Sequence, residues 1–422
     1  MAKVYKQISE LGQIITGKTP STSIEEYWGG NFPFITPTDI QGYNTFYQQE
    51  TERTVSDKGA KKQIKTILPK NSICVTCIGS TIGKVCVTQS ESITNQQINS
   101  IIPNKENDYR YIYYLMREGL PFFQMVAGGS GSGTPIISKN KFSKFKFPVE
   151  EDIRVQRRIA EVLSAYDALI ENNNKRIRLL ERMAENLYRE WFVRFRFPGH
   201  ETTTIVDGLP QGWSHTTIKA LNVELETGSR PQGGIIDIEN GIPSIGAENV
   251  IGLGKYNFNS VKLIPTPFFN KMKRGIIKDR DILIYKDGAY IGRTSLFQDH
   301  FPHEKASVNE HVFLLRTKNP LLQYYLFFTL YQPIYFDVMQ NLNTNAAQPG
   351  LKQSDILHIS IDLPTEGVIG KFNKAITPII KGIFNLSKEN IQLANQRDAL
   401  LPRLISGKLE VKTENEYLCE HL

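Results

Sequence analysis

Gly79-Ser-Thr-Ile-Gly83-Lys84 closes an apolar run with two glycines and a cation, the ingredients of a loop whose backbone amides cradle phosphate. Its spacing defeats that chemistry. One residue is missing between the glycines, and Val85 stands where a nucleotide hydrolase needs Ser or Thr. Cys74 and Cys77 have the C-x-x-C spacing of half a zinc site, but no second C-x-x-C or H-x-x-H completes it, so they read as two thiols on a strand. His300 and His303 fit no ligand pattern and read as part of a solvated loop. Asp279, Asp281 and Lys286 are residue types of a metal-dependent nuclease, and they fit a turn entering a strand equally well. A base methyltransferase needs paired prolines after Asn or Asp, which Asn31-Phe-Pro-Phe34 lacks. With no catalytic constellation and no metal-ligand set, the pattern is that of a binding module.

The glycine turn gains meaning because it occurs twice. Gly288-Ala-Tyr290-Ile-Gly292-Arg293 repeats it, and Thr16, Gly17, Lys18 and Pro20 are echoed by Thr227, Gly228, Arg230 and Pro231. Asn95 matches Asn309, Pro135 matches Pro349, and Val162, Leu169 and Ile177 match Ile376, Ile383 and Ile391, with an offset that drifts only from 209 to 214 residues. That is a duplicated domain carrying its own helix, an arrangement suited to a target in two halves, of which nucleic acid is the commonest. Each turn ends in a cation, Lys84 or Arg293, which reads either as a phosphate or base contact or as the exposed end of a tight hairpin. After each turn comes a polar stretch, Asn95-Gln96-Gln97 and Asn309-Glu310-His311. Asn and Gln can address the adenine edge and Glu can accept from cytosine. Asn95 and Asn309, identical in the two copies, equally suit pinning of their own loops, whereas Gln96, Gln97, Glu310 and His311 differ and are specificity candidates. The Gly/Ser stretch Ala127 to Thr134, followed by Lys139, Lys141, Lys144 and Lys146, and the matching Asn341 to Gly350 read as lesser candidates or as plain loops. Lys58, Lys61, Lys62 and Lys65 read as a solvated face.

Chain-wide properties set bounds on this reading. The 422 residues suffice for two or three domains. Net charge is +7, with +6 on residues 1–149 and −2 on 198–368, so the second half needs a local patch or a partner to neutralise phosphates. The chain opens on MAKVYKQISE with no apolar signal region, the run Leu321 to Phe336 is interrupted by Gln323, Gln332 and Pro333, and the 4 cysteines are too few for a disulfide framework. These features predict a cytoplasmic protein with no membrane partner.

The elements that must position the loops follow from periodicity. Residues 1–149 alternate short β-branched runs with Gly, Pro, Ser and Asn turns, plus a helix over Tyr109 to Glu118 ended by Gly119 and Pro121. Residues 150–197 lack Gly and Pro and carry Ile159, Val162, Tyr166, Leu169, Leu180, Met183 and Leu187 on a heptad-like stripe, widened by Leu163, Ile170, Ile177 and Trp191. Residues 198–365 repeat the strand-rich text. Residues 366–409 form a second long helix, striped by Ile369, Phe372, Ile376, Ile379, Ile383, Leu386, Leu393 and Leu400, and 410–422 are a tail. The expected fold is α+β: two tandem α/β domains, each followed by a long helix, the helices packing as an antiparallel coiled coil with Asn173 and Asn390 as polar seam residues.

Met183-Ala-Glu-Asn-Leu-Tyr-Arg-Glu-Trp-Phe-Val-Arg-Phe-Arg-Phe-Pro-Gly199 resembles the segment that ends the central helix in specificity subunits of type I restriction-modification systems. Leu209-Pro-Gln-Gly-Trp213 resembles the start of their second target-recognition domain, and Arg397-Asp-Ala-Leu-Leu-Pro-Arg-Leu-Ile-Ser-Gly-Lys-Leu409 their C-terminal signature. The resemblance implies a non-catalytic subunit whose two domains each read half of a bipartite double-stranded DNA site. It implies assembly with two modification subunits, which bring S-adenosylmethionine and methylate adenine, and with restriction subunits, which use ATP and Mg²⁺. Tyr188, Trp191, Phe192, Leu400, Leu401 and Leu404, inside the matching motifs, would then meet partner subunits. A stand-alone nuclease, and an anti-restriction or scaffold protein of the same architecture, are the alternatives.

Overall fold

The computed structural model describes residues 3–40, 46–48, 50–128, 135–232, 238–258, 261–342 and 350–411. Most of the two Gly- and Asn-rich loops (129–134 and 343–349), Pro349, Cys419 and most of the tail lie outside the described residues. Two compact units emerge, Met1–Asn172 with Ile391–Leu422, and Asn173–Asn390. The sequence divides into four consecutive segments, whereas the units cut through both long helices.

In the first unit, Gly12–Thr16, Ile98–Pro103, Ile73–Thr76, Val85–Thr88 and Tyr47–Gln48 form one sheet in that order, antiparallel except for the last pair. Side chains alternate across a strand, and here both faces are covered. Ile73, Val75, Val85 and Val87 pack under the tyrosines of the Tyr109–Glu118 helix, while Cys74 and Cys86 face Ile15, Ile35, Ile40 and Leu68. A smaller sheet orders Arg53–Val55, Trp28–Ile35 and Ile93–Thr94. The expected helix is present with Asp108 as its N-cap, but Pro121 does not end the helical region: Leu120–Gly128 starts a new helix with proline in its first turn, where no backbone donor is needed.

The second unit repeats this topology. Val223–Thr227, Val312–Thr317, Ile282–Tyr285 and Thr294–Leu296 form the larger sheet, and Leu263–Ile264, Ile242–Ile245 and Ser307–Val308 the smaller. The interrupted apolar run becomes two helices, Leu322–Leu330, which is buried, and Pro333–Asn341.

The long helices are Ile153–Tyr188, continued by a wide turn over Arg189–Val193, and Glu366–Ser406. Within the second unit Asn390 donates to Asn174 (2.9 Å) and Tyr188 packs against Phe372, so the helical segments run antiparallel there. In the first unit Ile159, Ala160 and Leu163 share a core with Leu401, Leu404 and Ile405. The buried stripe of the first helix is shifted from the expected one. It consists of Leu163, Ile170, Ile177 and Ala184 interleaved with Ala160, Asp167, Asn174, Glu181 and Tyr188, all half-buried or buried, while Leu169 and Met183 are exposed. Three polar residues occupy seam positions, so a search for apolar heptads slides off them. Asn390 is a seam residue as expected, but its partner is Asn174; Asn173 is buried beside it and its amide nitrogen has no partner.

The six motif residues expected at partner surfaces are used internally. Phe192 meets Tyr325, Phe372 and Trp213, and Trp191 meets Phe372. Tyr188 donates to or accepts from Thr329 at 2.9 Å. Leu401 and Leu404 belong to the first unit's core, with Leu400 packed against it. Their size and apolarity are explained by burial within the chain.

Candidate nucleic-acid interface

Three loops meet at one place in each unit. In the first, the Cys77 N–H donates to the Gln97 carbonyl (2.8 Å), joining the glycine turn to the polar stretch. In the second, the Lys286 N–H donates to the His311 carbonyl (3.0 Å). The loop after each first strand then closes on the same stretch. Thr19 Oγ1 donates to Gln96 Oε1 (2.7 Å), and Arg230 Nε lies 2.8 Å from Glu310 Oε1. With the shared Thr-Gly aligned, Thr19 is the counterpart of Arg230, and Lys18 is an exposed neighbour. The contact is the same and its chemistry is not.

The turns themselves are superimposable in their bonding. Gly83 N–H donates to Thr76 O and Gly292 N–H to Tyr285 O, both 2.9 Å, and Thr76 and Tyr285 donate back to Lys84 O and Arg293 O at 3.0 and 2.8 Å. Gly83 and Gly292 sit at φ +87° and +88°, a left-handed conformation that favours glycine. Gly79 and Gly288 are likewise positive, at +73° and +126°. The cations that end the turns diverge. Lys84 Nζ is half-buried and donates to the Ile40 carbonyl at 2.9 Å, which makes it a structural pin. Arg293 is exposed, its guanidinium carbon 3.5 Å from the centre of the Tyr290 ring.

Asn95 and Asn309 are buried and bond within their own loops, the arrangement that pinning requires. Asn95 Oδ1 accepts the Gln97 N–H at 3.0 Å and Asn309 Oδ1 the His311 N–H at 2.9 Å. Changing either to Ala removes this bond, and a loss of about 1–2 kcal/mol of stability is expected on thermal or urea unfolding. A variant as stable as the parent would contradict the pinning role.

The second unit adds a charged network that the sequence did not single out. Asp287 Oδ2 lies 3.0 Å from His311 Nδ1 and 3.1 Å from Lys286 Nζ, and His311 Nε2 is 3.4 Å from Glu310 Oε1. Lys286, Asp287 and His311 line a cleft of about 720 Å³ together with Thr227, Phe313 and Gln353.

The nuclease set does not converge. Asp281 is buried on Arg316 (2.5 Å) at one end of the Ile282–Tyr285 strand, Asp279 accepts the Asp299 N–H, and Lys286 lies at the other end. Among the described residues, no group of three or more His, Cys, Asp and Glu could hold a metal ion. Burial pushes the Cys77 thiol up to about 11, against the low pKa that a ligand thiolate needs. His303 packs against Tyr256 and Phe258, not in a solvated loop, and burial lowers its pKa.

The family description that matches residues 3–182 is a type I restriction modification DNA specificity domain. The chain is 29% identical over 421 residues to the type I restriction enzyme MjaIX specificity subunit of Methanocaldococcus jannaschii, covering 96% of this chain and 93% of that one. The domain match over residues 3–182 and the end-to-end likeness to that relative support a type I restriction-modification specificity subunit. The HindI specificity subunit of Haemophilus influenzae is 37% identical over 180 residues, 42% of this chain and 38% of that one. The type I S subunit of M. genitalium shares the fold, with a TM-score of 0.56 at 15% identity over 95% of each chain. Among the described residues, no helix of the chain is long and apolar enough to cross a membrane.

Proposed function

We propose that this chain reads a bipartite double-stranded DNA target, one half with each three-loop joint, and directs modification and restriction subunits to it in the cytoplasm. One observation carries the reading: the same joint is built twice from the same backbone bonds, while the side chains closing it change from Thr19–Gln96 to Arg230–Glu310. A conserved frame with divergent tips is what two readers of unlike half-sites require. The chain acts without chemistry of its own, and S-adenosylmethionine, ATP and Mg²⁺ belong to the partner subunits. The specificity-subunit relatives support this division of labour. With the motif aromatics, Leu401 and Leu404 buried and Leu400 packed against the same core, partner subunits meet other parts of the surface.

Replacing residues 1–149 by the corresponding domain of a relative is expected to change one half of the methylated motif and leave the other intact. Methylome sequencing of cells carrying the complex reads the result. Simultaneous change of both halves would overturn the two-reader model.

A further inference from the structure

We infer that the half-site read by the second unit contains a guanine and that Arg293 reads it. The inference rests on the function proposed above and adds the identity of one base. Three cations belong to this loop joint. Arg230 is paired with Glu310 and Lys286 with Asp287; of the three, only Arg293 has no carboxylate partner among the described residues. Its backbone is held on both sides, by the Arg293 N–H donating to Tyr290 O (3.1 Å) and the Tyr285 N–H donating to Arg293 O (2.8 Å). The guanidinium lies over the ring of Tyr290, a side chain that is 49% exposed at the tip of the turn.

Stacking on an aromatic face fixes the plane of a guanidinium and leaves its N–H edge free. A planar fork with two parallel donors matches two acceptors side by side, and in the major groove guanine presents such a pair in N7 and O6. A phosphate can also accept the fork, but a point charge serves a phosphate without a stacking platform. The corresponding turn of the first unit makes the contrast within this chain. Thr81 stands where Tyr290 is, Lys84 where Arg293 is, and the lysine is turned inward to Ile40. The same frame therefore carries an oriented fork in one reader only.

The experiment uses the chain assembled with its modification subunits and duplexes bearing the motif found by methylome sequencing. The second unit's half-site is the one unaffected by exchange of residues 1–149. Each guanine in it is replaced in turn by 7-deazaguanine, which lacks the N7 acceptor. One such replacement removes one of the two acceptors and is expected to weaken binding by the parent complex several-fold, with roughly 150-fold, the loss of a whole bidentate contact, as its upper bound. The same replacement should leave binding by R293A unchanged, because the contact is already gone. R293K should relax preference at that position alone, and Y290A should give an intermediate loss. Equal losses for parent and R293A at every guanine, or a half-site without guanine, would overturn the inference while leaving the two-reader function standing. So would an R293A variant whose only change is a shallower salt dependence, the signature of a phosphate contact. Absence of a bipartite motif would instead sink the proposed function itself.

Discussion

Arg397→Ala is expected to destabilise the first unit by about 3–5 kcal/mol, the cost of stranding a buried charge. Arg397 is fully buried and pairs with Asp167 on the first long helix, whose carboxylate also accepts from Tyr114. Its other face holds Asp398 at 2.9 Å, which in turn meets Arg117 at 2.7 Å. Burial alone would lower the arginine pKa, and Asp167 and Asp398 more than offset it, so the guanidinium stays charged. Removing it leaves Asp167 uncompensated in a site that is 5% exposed. Thermal and urea unfolding of the full chain, followed by probes in the first unit, measures the loss. The double variant Arg397→Met with Asp167→Leu should recover most of it, since apolar replacement of a whole buried pair is often neutral or stabilising. A single alanine variant within 1 kcal/mol of the parent would show that the pair does not anchor the unit.

Gly228→Ala is expected to cost at least about 3 kcal/mol and to abolish reading of one half-site. A β-carbon at Gly228 would overlap the Val308 carbonyl and crowd the Asn309 backbone nitrogen. Neither obstacle is a flexible side-chain end, so the Arg230 loop must leave the joint. Gly17→Ala meets the Asn95 and Thr94 carbonyls in the same way and should disable the other half-site. Binding of each assembled variant to duplexes altered in one half at a time separates the two effects. Loss of both half-sites with either variant, or full retention, contradicts independent joints.

The repeat that ties these glycines together was legible in the sequence, as were the strand-rich halves, the two long helices and the place of Asn390. The reason for the glycines was not, because backbone crowding at Val308 comes from a strand about eighty residues away. The helix seam was misplaced by one position because Asp167, Asn174 and Glu181 are satisfied by distant groups: Arg397, Asn390, and Lys255 with Tyr331. Hydropathy scores such residues as surface. At the joint, aligning cation with cation matched Arg230 to Lys18, while the structure matches it by position and contact to Thr19. Lys84 and Arg293 looked equivalent in type and spacing, yet one bonds inward and the other stacks outward, a difference set by Ile40 and Tyr290. The aromatic helix-end motif was legible as a signature, but its packing on Trp213, Tyr325 and Phe372 depends on the tertiary fold.

The first unit is assembled from two stretches with the whole second unit intervening. During synthesis, Ile159, Ala160, Leu163 and Asp167 leave the ribosome more than two hundred residues before Arg397, Leu401 and Leu404 exist to cover them. At 5–20 residues per second that is a wait of roughly twelve to fifty seconds, while the later, contiguous stretch can fold without interruption. The part of the protein made first is therefore finished last. A premature stop between the end of the first long helix and Arg397 leaves an apolar groove open, a product suited to chaperone capture or degradation rather than to partial function.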